Sequence, residues 1–157
     1  MLPERRRTAR YGVLWEPSPR QLAERTVQKR WREFISPSTL QLGPLLDRLL
    51  EPIGCDELKT RLRLGLQEVL VNAVCHGNGR DPELRLRIRR IECQQWWVFQ
   101  VQDQGDGVPP GCRCCHLPED PGACAGRGLF LIHHCFDDVR WSNRGNRLQV
   151  AVQRQRP

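Results

Sequence analysis

The sequence contains three short groups of polar and glycine residues whose types and spacing suit the binding of a charged ligand. In the first group, Glu68, Asn72 and His76 recur every four residues within an otherwise apolar segment. On a helix this spacing places them on one stripe, where a carboxylate and an amide oxygen can hold a cation or move a proton. The alternative for this group is the solvent-facing side of an amphipathic helix.

The second group, Asp103 to Gly107, has the form Asp-x-Gly-x-Gly and follows an alternating apolar stretch. Its two glycines permit a tight turn and a close approach of the backbone to a ligand. A calcium loop is excluded, because Gly105 occupies the third ligand position and Cys114 stands where a glutamate is needed. A plain turn is the alternative to a ligand loop.

The third group, Gly126-Arg127-Gly128, precedes an apolar segment that begins at Leu129. Free backbone amides at the start of a helix attract phosphate, so this group predicts an anion-binding helix start. The chain has no Gly-Lys-Ser or Gly-Lys-Thr segment and no His-Arg-Asp loop. A P-loop site and the usual protein-kinase fold are therefore excluded.

Apolar periodicity predicts the elements that must position the three groups. Alternating residues indicate strands, and apolar stripes of helical spacing indicate helices. Helix-start residues stand at 36–39, and Asp56 can cap the long helix that carries the first group. In chain order, the predicted elements are a strand over 27–35, a helix through 42–50, a helix from 56 to 77, strands over 84–89 and 97–101, a helix over 129–136, and strands over 139–141 and 148–152.

This order of elements predicts an α+β fold, a two-layer sandwich with helices on one face of a mixed, mostly antiparallel sheet. We expect residues 1–23 to be a basic N-terminal extension and residues 24–157 to be the folded domain. Within that domain, residues 104–125 are rich in Gly, Pro and Cys and lack periodicity. A loop of this length inside a compact domain usually carries function.

Length and composition limit the classes to which the protein can belong. The chain has 157 residues, enough for one domain, and its 25 Lys and Arg against 18 Asp and Glu leave a net charge of +7. We find no membrane-spanning apolar run and no secretory signal, so we expect a cytoplasmic protein whose eight cysteines are free thiols. Arginines spread along the chain are typical of a solvated surface, and the alternative is a nucleic-acid surface that uses Arg85, Arg87 and Arg89.

Together and in this order, the three groups resemble the nucleotide-binding boxes of the GHKL ATPase superfamily, over about residues 27–155. The form Glu-x-x-x-Asn-Ala-x-x-His-Gly and the ending Trp141–Gly145 are most similar to the anti-sigma factor serine kinases of the RsbW and SpoIIAB type. The resemblance implies the Bergerat ATP-binding fold of that superfamily. It also implies ATP and Mg²⁺ as the bound groups.

The function that this resemblance implies is that of an anti-sigma factor and serine/threonine kinase in transcription regulation. Such a protein binds a sigma factor, phosphorylates an anti-anti-sigma protein of the STAS type, and switches between these partners; a homodimer is also implied. The alternative is a non-catalytic ATP-sensing module that holds a partner protein. A histidine-kinase catalytic domain is a further alternative, disfavoured because the first histidine of the chain, His76, already lies in the helix group.

The resemblance also implies a role for each residue of the three groups. Glu68 would be the general base, and Asn72 would supply its side-chain oxygen to Mg²⁺. Asp103 would accept a hydrogen bond from the adenine amino group, and Gly105 and Gly107 would let the chain pass close to the base. The residues implied to hold phosphates at the helix start are Gly126, Arg127, Gly128 and Leu129.

Three further features depart from the family pattern or have open roles. Asn146 stands where the family commonly has threonine. Arg113 and Arg127 are candidates for an arginine finger, which stabilises a transferring phosphoryl group. The loop 104–125 corresponds to the ATP lid and contains cysteines that, with His116, could bind Zn²⁺, respond to oxidation or have no role. These cysteines are Cys112, Cys114, Cys115 and Cys124.

Overall fold

A computed structural model of the protein describes residues 30–113 and 127–154, and these form a sheet with helices on one face. The strands are β1 (Arg30–Pro37), β2 (Arg85–Glu92), β3 (Trp96–Gln102), β4 (Asp138–Trp141) and β5 (Arg147–Gln153). The helices are α1 (Gly43–Leu50), α2 (Asp56–Asn72) and α3 (Arg127–Cys135), with a π-helical turn over Ala73–Gly77 and a 3-10 turn over Pro110–Cys112. The expected extension 1–23 and residues 27–29 and 114–126 lie outside the described residues.

The sheet has the strand order β1-β2-β3-β5-β4. Every pairing between the described strands is antiparallel, so the α+β sandwich is confirmed and its sheet is antiparallel throughout these residues. β2 and β3 form the predicted hairpin, with Ile88 opposite Val101. One face of such a sheet can stay solvated, which explains why β2 alternates buried Leu86 and Ile88 with outward arginines.

The helices cover the other face with one apolar core. The α2 side chains that are buried in it are Leu62, Leu66, Val69 and Leu70. They share the core with strand residues that include Leu86, Ile88, Phe99 and Val150. Burial of a side chain of this size stabilises a fold by about 1.5–3 kcal/mol. The apolar stripe therefore holds α2 in place and leaves its polar stripe free to serve another purpose.

The prediction that the first helix begins at residues 36–39 is wrong. Ser36 and Pro37 are the last residues of β1, and α1 begins at Gly43 with Pro44 in its first turn. A proline is tolerated at that end of β1 because β1 is an edge strand of the sheet. The predicted apolar stripe of the helix is confirmed, and its buried members are Leu45, Leu46, Leu49 and Leu50.

The long helix α2 is confirmed, and it packs closely against α3. It begins at Asp56, with Cys55 rather than Asp56 in the capping position. At Gly65, a Cβ atom would lie 2.5 Å from Phe136 Cε2 and 2.6 Å from Cys135 Cβ. Only glycine permits this approach of the two helices. Gly65 thereby sets how near α3 lies to the polar stripe of α2.

The structure also describes the membrane character of the helices and the state of several cysteines. Within residues 30–113 and 127–154, no helix combines the length and the apolar character that crossing a membrane requires.

Cys55, Cys75 and Cys135 have free thiols, as predicted. Of the four loop cysteines, only Cys112 lies within the described residues.

Candidate functional site

The first and third groups meet where α2 lies beside the start of α3. Glu68 and Asn72 are half-buried on α2 and both face Gly128. A Cβ atom on Gly128 would lie 2.9 Å from Glu68 Oε2 and 3.6 Å from Asn72 Oδ1. Within the described part of the chain, neither side chain makes a hydrogen bond or an ion pair. A carboxylate and an amide oxygen are thus left available beside a helix start.

The regular helical spacing ends at Asn72. A π-helical turn follows over Ala73–Gly77, and the amide of Asn78 donates to the carbonyl of Ala73 at 2.8 Å. Such wide turns are rare and frequently lie at functional sites. His76 lies within this turn and is exposed. The four-residue repeat that placed His76 on the stripe therefore does not extend to it.

The second group lies at the far end of the same turn. Asp103 follows β3 and is only 9% exposed. Its Oδ1 accepts a hydrogen bond from the Gly105 amide at 2.9 Å, and a Cβ atom on Gly77 would lie 2.5 Å from its Oδ2. Burial raises the pKa of Asp103, and the bond from Gly105 opposes that shift. The π-helical turn thus ends against a buried acceptor.

The glycines of the second group are required by contacts within the protein. A Cβ atom on Gly105 would overlap the carbonyl of Gly77, and one on Gly107 would overlap the carbonyl of Arg144. Gly107 also has φ +95°, a conformation that side chains other than glycine rarely adopt. The loop after β3 therefore crosses the π-helical turn and the β4–β5 turn at backbone contact distance.

Asn146 lies next to Asp103. The Asp103 amide donates to the Asn146 carbonyl at 3.0 Å, and Asn146 Nδ2 donates to the Asp103 carbonyl at 3.4 Å. This two-way contact joins the start of β5 to the end of β3. Asn146 thus helps to hold the segment that carries the buried carboxylate.

Asn78 is a positioning residue that sequence reasoning missed. It is 4% exposed, its Oδ1 accepts from the Gln104 amide at 2.8 Å, and its Nδ2 donates to the Arg85 carbonyl at 3.2 Å. One side chain thus joins the end of α2, the start of β2 and the loop that carries Asp103. The sequence indicated only a helix end at Gly77-Asn78-Gly79, because such a tripeptide does not reveal burial.

The two arginine-finger candidates differ in their surroundings. Arg113 directs its guanidinium at three backbone carbonyls, those of Val108, Ser142 and Asn143. Arg127 is the first residue of α3 and is exposed beside Gly128. Only Arg127 therefore combines exposure with a place at the helix start.

The remaining residues implied to hold phosphates are only partly described. Leu129 is half-buried and packs against the core, so its side chain serves the fold and only its backbone can face a ligand. Gly126 lies outside the described residues.

Comparison with known proteins identifies the family of the domain. Residues 41–152 match the model of a family described as a histidine kinase-like ATPase domain, which covers more than half of the chain and runs from just before α1 into β5. No curated protein matches the chain significantly. The chain belongs to the histidine kinase-like ATPase domain family, an ATP-binding family of the GHKL superfamily.

Proposed function

We propose that the protein is a regulatory serine/threonine kinase of the anti-sigma type that binds ATP with Mg²⁺ between α2, the loop after β3 and the start of α3. In this proposal it binds a sigma factor and phosphorylates a serine of a STAS-type anti-anti-sigma protein. The kinase assignment rests on Glu68 and Asn72. Both face Gly128, and neither is hydrogen-bonded within the described residues.

The side chains beside α3 fit a magnesium–triphosphate group. Asn72 Oδ1 is a hard-oxygen donor of the kind that Mg²⁺ accepts, and it would be the protein's ligand to the ion. The backbone amides at the start of α3 suit phosphate oxygens, and Arg127 adds a positive charge there. When bound, Mg²⁺ neutralises charge on the phosphates and orients them.

In the proposed reaction, Glu68 takes the proton of the acceptor serine. As the serine oxygen forms its bond to the γ-phosphorus, the bond from that phosphorus to the β,γ-bridging oxygen breaks. ADP leaves with the bridging oxygen, and the serine proton passes to the Glu68 carboxylate. A positioned base typically contributes about 10²–10⁴-fold in rate. A non-catalytic ATP sensor has no use for such a base, so Glu68 supports the kinase over that alternative.

Asp103 is suited to bind the adenine base, at the opposite end of the nucleotide from the phosphates. A buried carboxylate that already accepts from Gly105 can still accept a hydrogen bond from an exocyclic amino group, since each carboxylate oxygen has two lone pairs. Adenine carries such a group. The π-helical turn lies between Asn72 and the contact of Gly77 with Asp103, so the proposed adenine and phosphate ends of the site are separate.

Binding can be tested by thermal unfolding with ATP or ADP, with and without Mg²⁺. A ligand at 100 times its Kd stabilises the folded state by about 2.7 kcal/mol. We expect ATP to raise the Tm of the wild type more with Mg²⁺ than without, and Asn72→Ala to lose the Mg²⁺-dependent part. Gln67→Ala, an exposed change on the same helix, is the matched control. Identical responses of Asn72→Ala and wild type would remove Asn72 as the magnesium ligand.

Transfer can be tested with labelled ATP and the STAS-type proteins encoded in the same genome. We expect label on a serine of one of them, and we expect that phosphorylation to release it from the kinase. Nucleotide binding without transfer to any of these proteins would favour the ATP-sensing alternative.

A further inference from the structure

We propose that Arg113 is a positioning residue that holds the base end of the nucleotide site together. This inference rests on the proposed binding of ATP at Asp103 and beside α3. It assigns Arg113 to the protein's own backbone and not to the transferring phosphoryl group.

The guanidinium of Arg113 contacts the protein's own backbone and one aromatic ring. Its Nε donates to the Val108 carbonyl at 2.8 Å, its Nη1 to the Ser142 carbonyl at 3.2 Å, and its Nη2 to the Asn143 carbonyl at 3.1 Å. Its Cζ also lies 5.8 Å from the centre of the Trp141 ring, within the range of a cation–π contact. Three donors and one face of the guanidinium are therefore already engaged.

These contacts join two segments that are far apart in the sequence. Val108 belongs to the loop after β3, whereas Ser142 and Asn143 form the turn between β4 and β5. The two segments also touch directly, because the Val108 amide donates to the Gly145 carbonyl at 3.0 Å. A Cβ atom on Gly145, which has φ +84°, would overlap the Val108 carbonyl and would also lie 2.5 Å from Arg113 Nη2, so the contact leaves no room for another side chain.

The joined segments carry the buried carboxylate. The β4–β5 turn is stiffened by Ser142 Oγ, which accepts from the amides of Gly145 at 3.2 Å and Arg147 at 3.3 Å. Immediately after the turn, the Asn146 carbonyl accepts from the Asp103 amide at 3.0 Å. Arg113 therefore acts on Asp103 through the turn, without contact to a nucleotide.

Only arginine suits this position. Its planar guanidinium has five N–H donors in a rigid fork, which can reach carbonyls in different directions while one face lies on Trp141. A lysine has the same charge but only a single flexible ammonium. An exchange for lysine should therefore resemble removal of the side chain.

The test compares Arg113→Ala, Arg113→Lys and a matched control, Arg140→Ala. Arg140 lies on β4, in the hairpin whose turn Arg113 contacts, and its Nε pairs with Asp138 at 2.8 Å. We expect both Arg113 variants to bind ATP and ADP roughly tenfold more weakly, by the same factor for both nucleotides, as the loss of about one net hydrogen bond implies. Phosphoryl transfer at saturating ATP should stay near wild type, and Arg140→Ala should bind like wild type.

Other results overturn the inference in distinguishable ways. A loss confined to ATP, or slower transfer at saturating ATP with unchanged affinity, would make Arg113 an arginine finger. Unchanged affinity in both Arg113 variants, or full rescue by lysine, would show that its contacts do not support the site. A wild type that binds no adenine nucleotide would overturn the proposed function and this inference together.

Hydrogen exchange of the unliganded protein gives a second readout if Arg113→Ala folds poorly. In Arg113→Lys, we expect faster exchange at the amides of Val108 and Gly145, and wild-type protection in α2. Wild-type protection at both amides would contradict the inference, and so would a uniform loss across the fold, since that indicates a role in overall stability alone.

Discussion

Two carboxylates on opposite sides of the sheet have contrasting surroundings. Glu33, on the solvated outer face, accepts hydrogen bonds from Arg87 Nη2 at 3.2 Å and from Arg89 Nε at 2.8 Å. Glu68, on the helix side, has no hydrogen bond or ion pair among the described residues. The bonds from Arg87 and Arg89 lower the pKa of Glu33 from 4.5 to about 2.

The comparison teaches that charge alone does not identify a binding surface. Arg87 and Arg89 looked available for nucleic acid in the sequence, but Glu33 accepts hydrogen bonds from both. Exposed pairs of this kind contribute little to stability, yet they lower the free positive charge of the face. Glu68 is the opposite case. The apolar stripe of α2 fixes its position, and no cationic side chain among the described residues forms an ion pair with its carboxylate.

The largest expected effect comes from removing the negative charge of Glu68. Glu68→Gln keeps the size of the side chain, and we expect it to lower phosphoryl transfer by about 10²–10⁴-fold. ATP binding and the Tm should stay near wild type, because the carboxylate makes no bond that the described fold needs. Single-turnover transfer and thermal unfolding measure the two effects, with the exposed α2 residue change Glu57→Gln as control. Wild-type transfer by Glu68→Gln would contradict the assigned base.

A smaller effect is expected at Gly128, whose added Cβ atom would lie 2.9 Å from Glu68 Oε2. The Glu68 carboxylate would have to shift, so Gly128→Ala should lower transfer by roughly three- to tenfold, less than the ~10²-fold that a full 1 Å misplacement can cost. Alanine is favoured over glycine in a helix by about 0.5–1 kcal/mol, so the Tm should hold or rise. A fall in Tm together with activity would mean that Gly128 serves the fold.

The smallest effect is expected at Glu33. Its pKa is lowered to about 2 by folding, so its contribution to stability is complete above its ordinary pKa of 4.5 and is lost as pH falls toward 2. Glu33→Gln should therefore have a slightly lower Tm than wild type at pH 7, and the difference should vanish near pH 2. A Tm difference that is independent of pH would show that the pair with Arg87 and Arg89 is not its source.

Much of the fold could be predicted because its determinants are local. The apolar stripe of α2 and the alternation of β2 follow from side-chain spacing, and both are confirmed. The start of α1 was misplaced because Ser36 and Pro37 resemble a helix cap, although pairing with β2 keeps them in the edge strand. A cap preference of about 1 kcal/mol is easily overridden by such pairing.

The sequence pattern predicted only part of the candidate site. Glu68 and Asn72 could be named because they interrupt an apolar helical pattern at a four-residue spacing, and Asp103 because it opens an Asp-x-Gly-x-Gly segment at a strand end. The roles of all three were implied only by the family resemblance. Asn78 could not be found, since nothing in its neighbours reveals that it is buried between Gln104 and Arg85. Spacing along the chain therefore found the ligand-like groups and missed a residue that positions them.

The sequence by itself determined the order of the elements, the face that each one buries and the polar groups that each one carries, because periods of 2 and 3.6 residues are properties of a short segment. Only the tertiary structure decided which partner each polar group obtained. In the folded protein, Glu33 forms ion pairs with two arginines, whereas Glu68 forms none with an arginine of the described residues. It brought Arg113, one of two candidates for an arginine finger, into contact with backbone carbonyls of two loops. Hydrogen bonds form only within about 3.5 Å, and the fold alone brings distant segments that close.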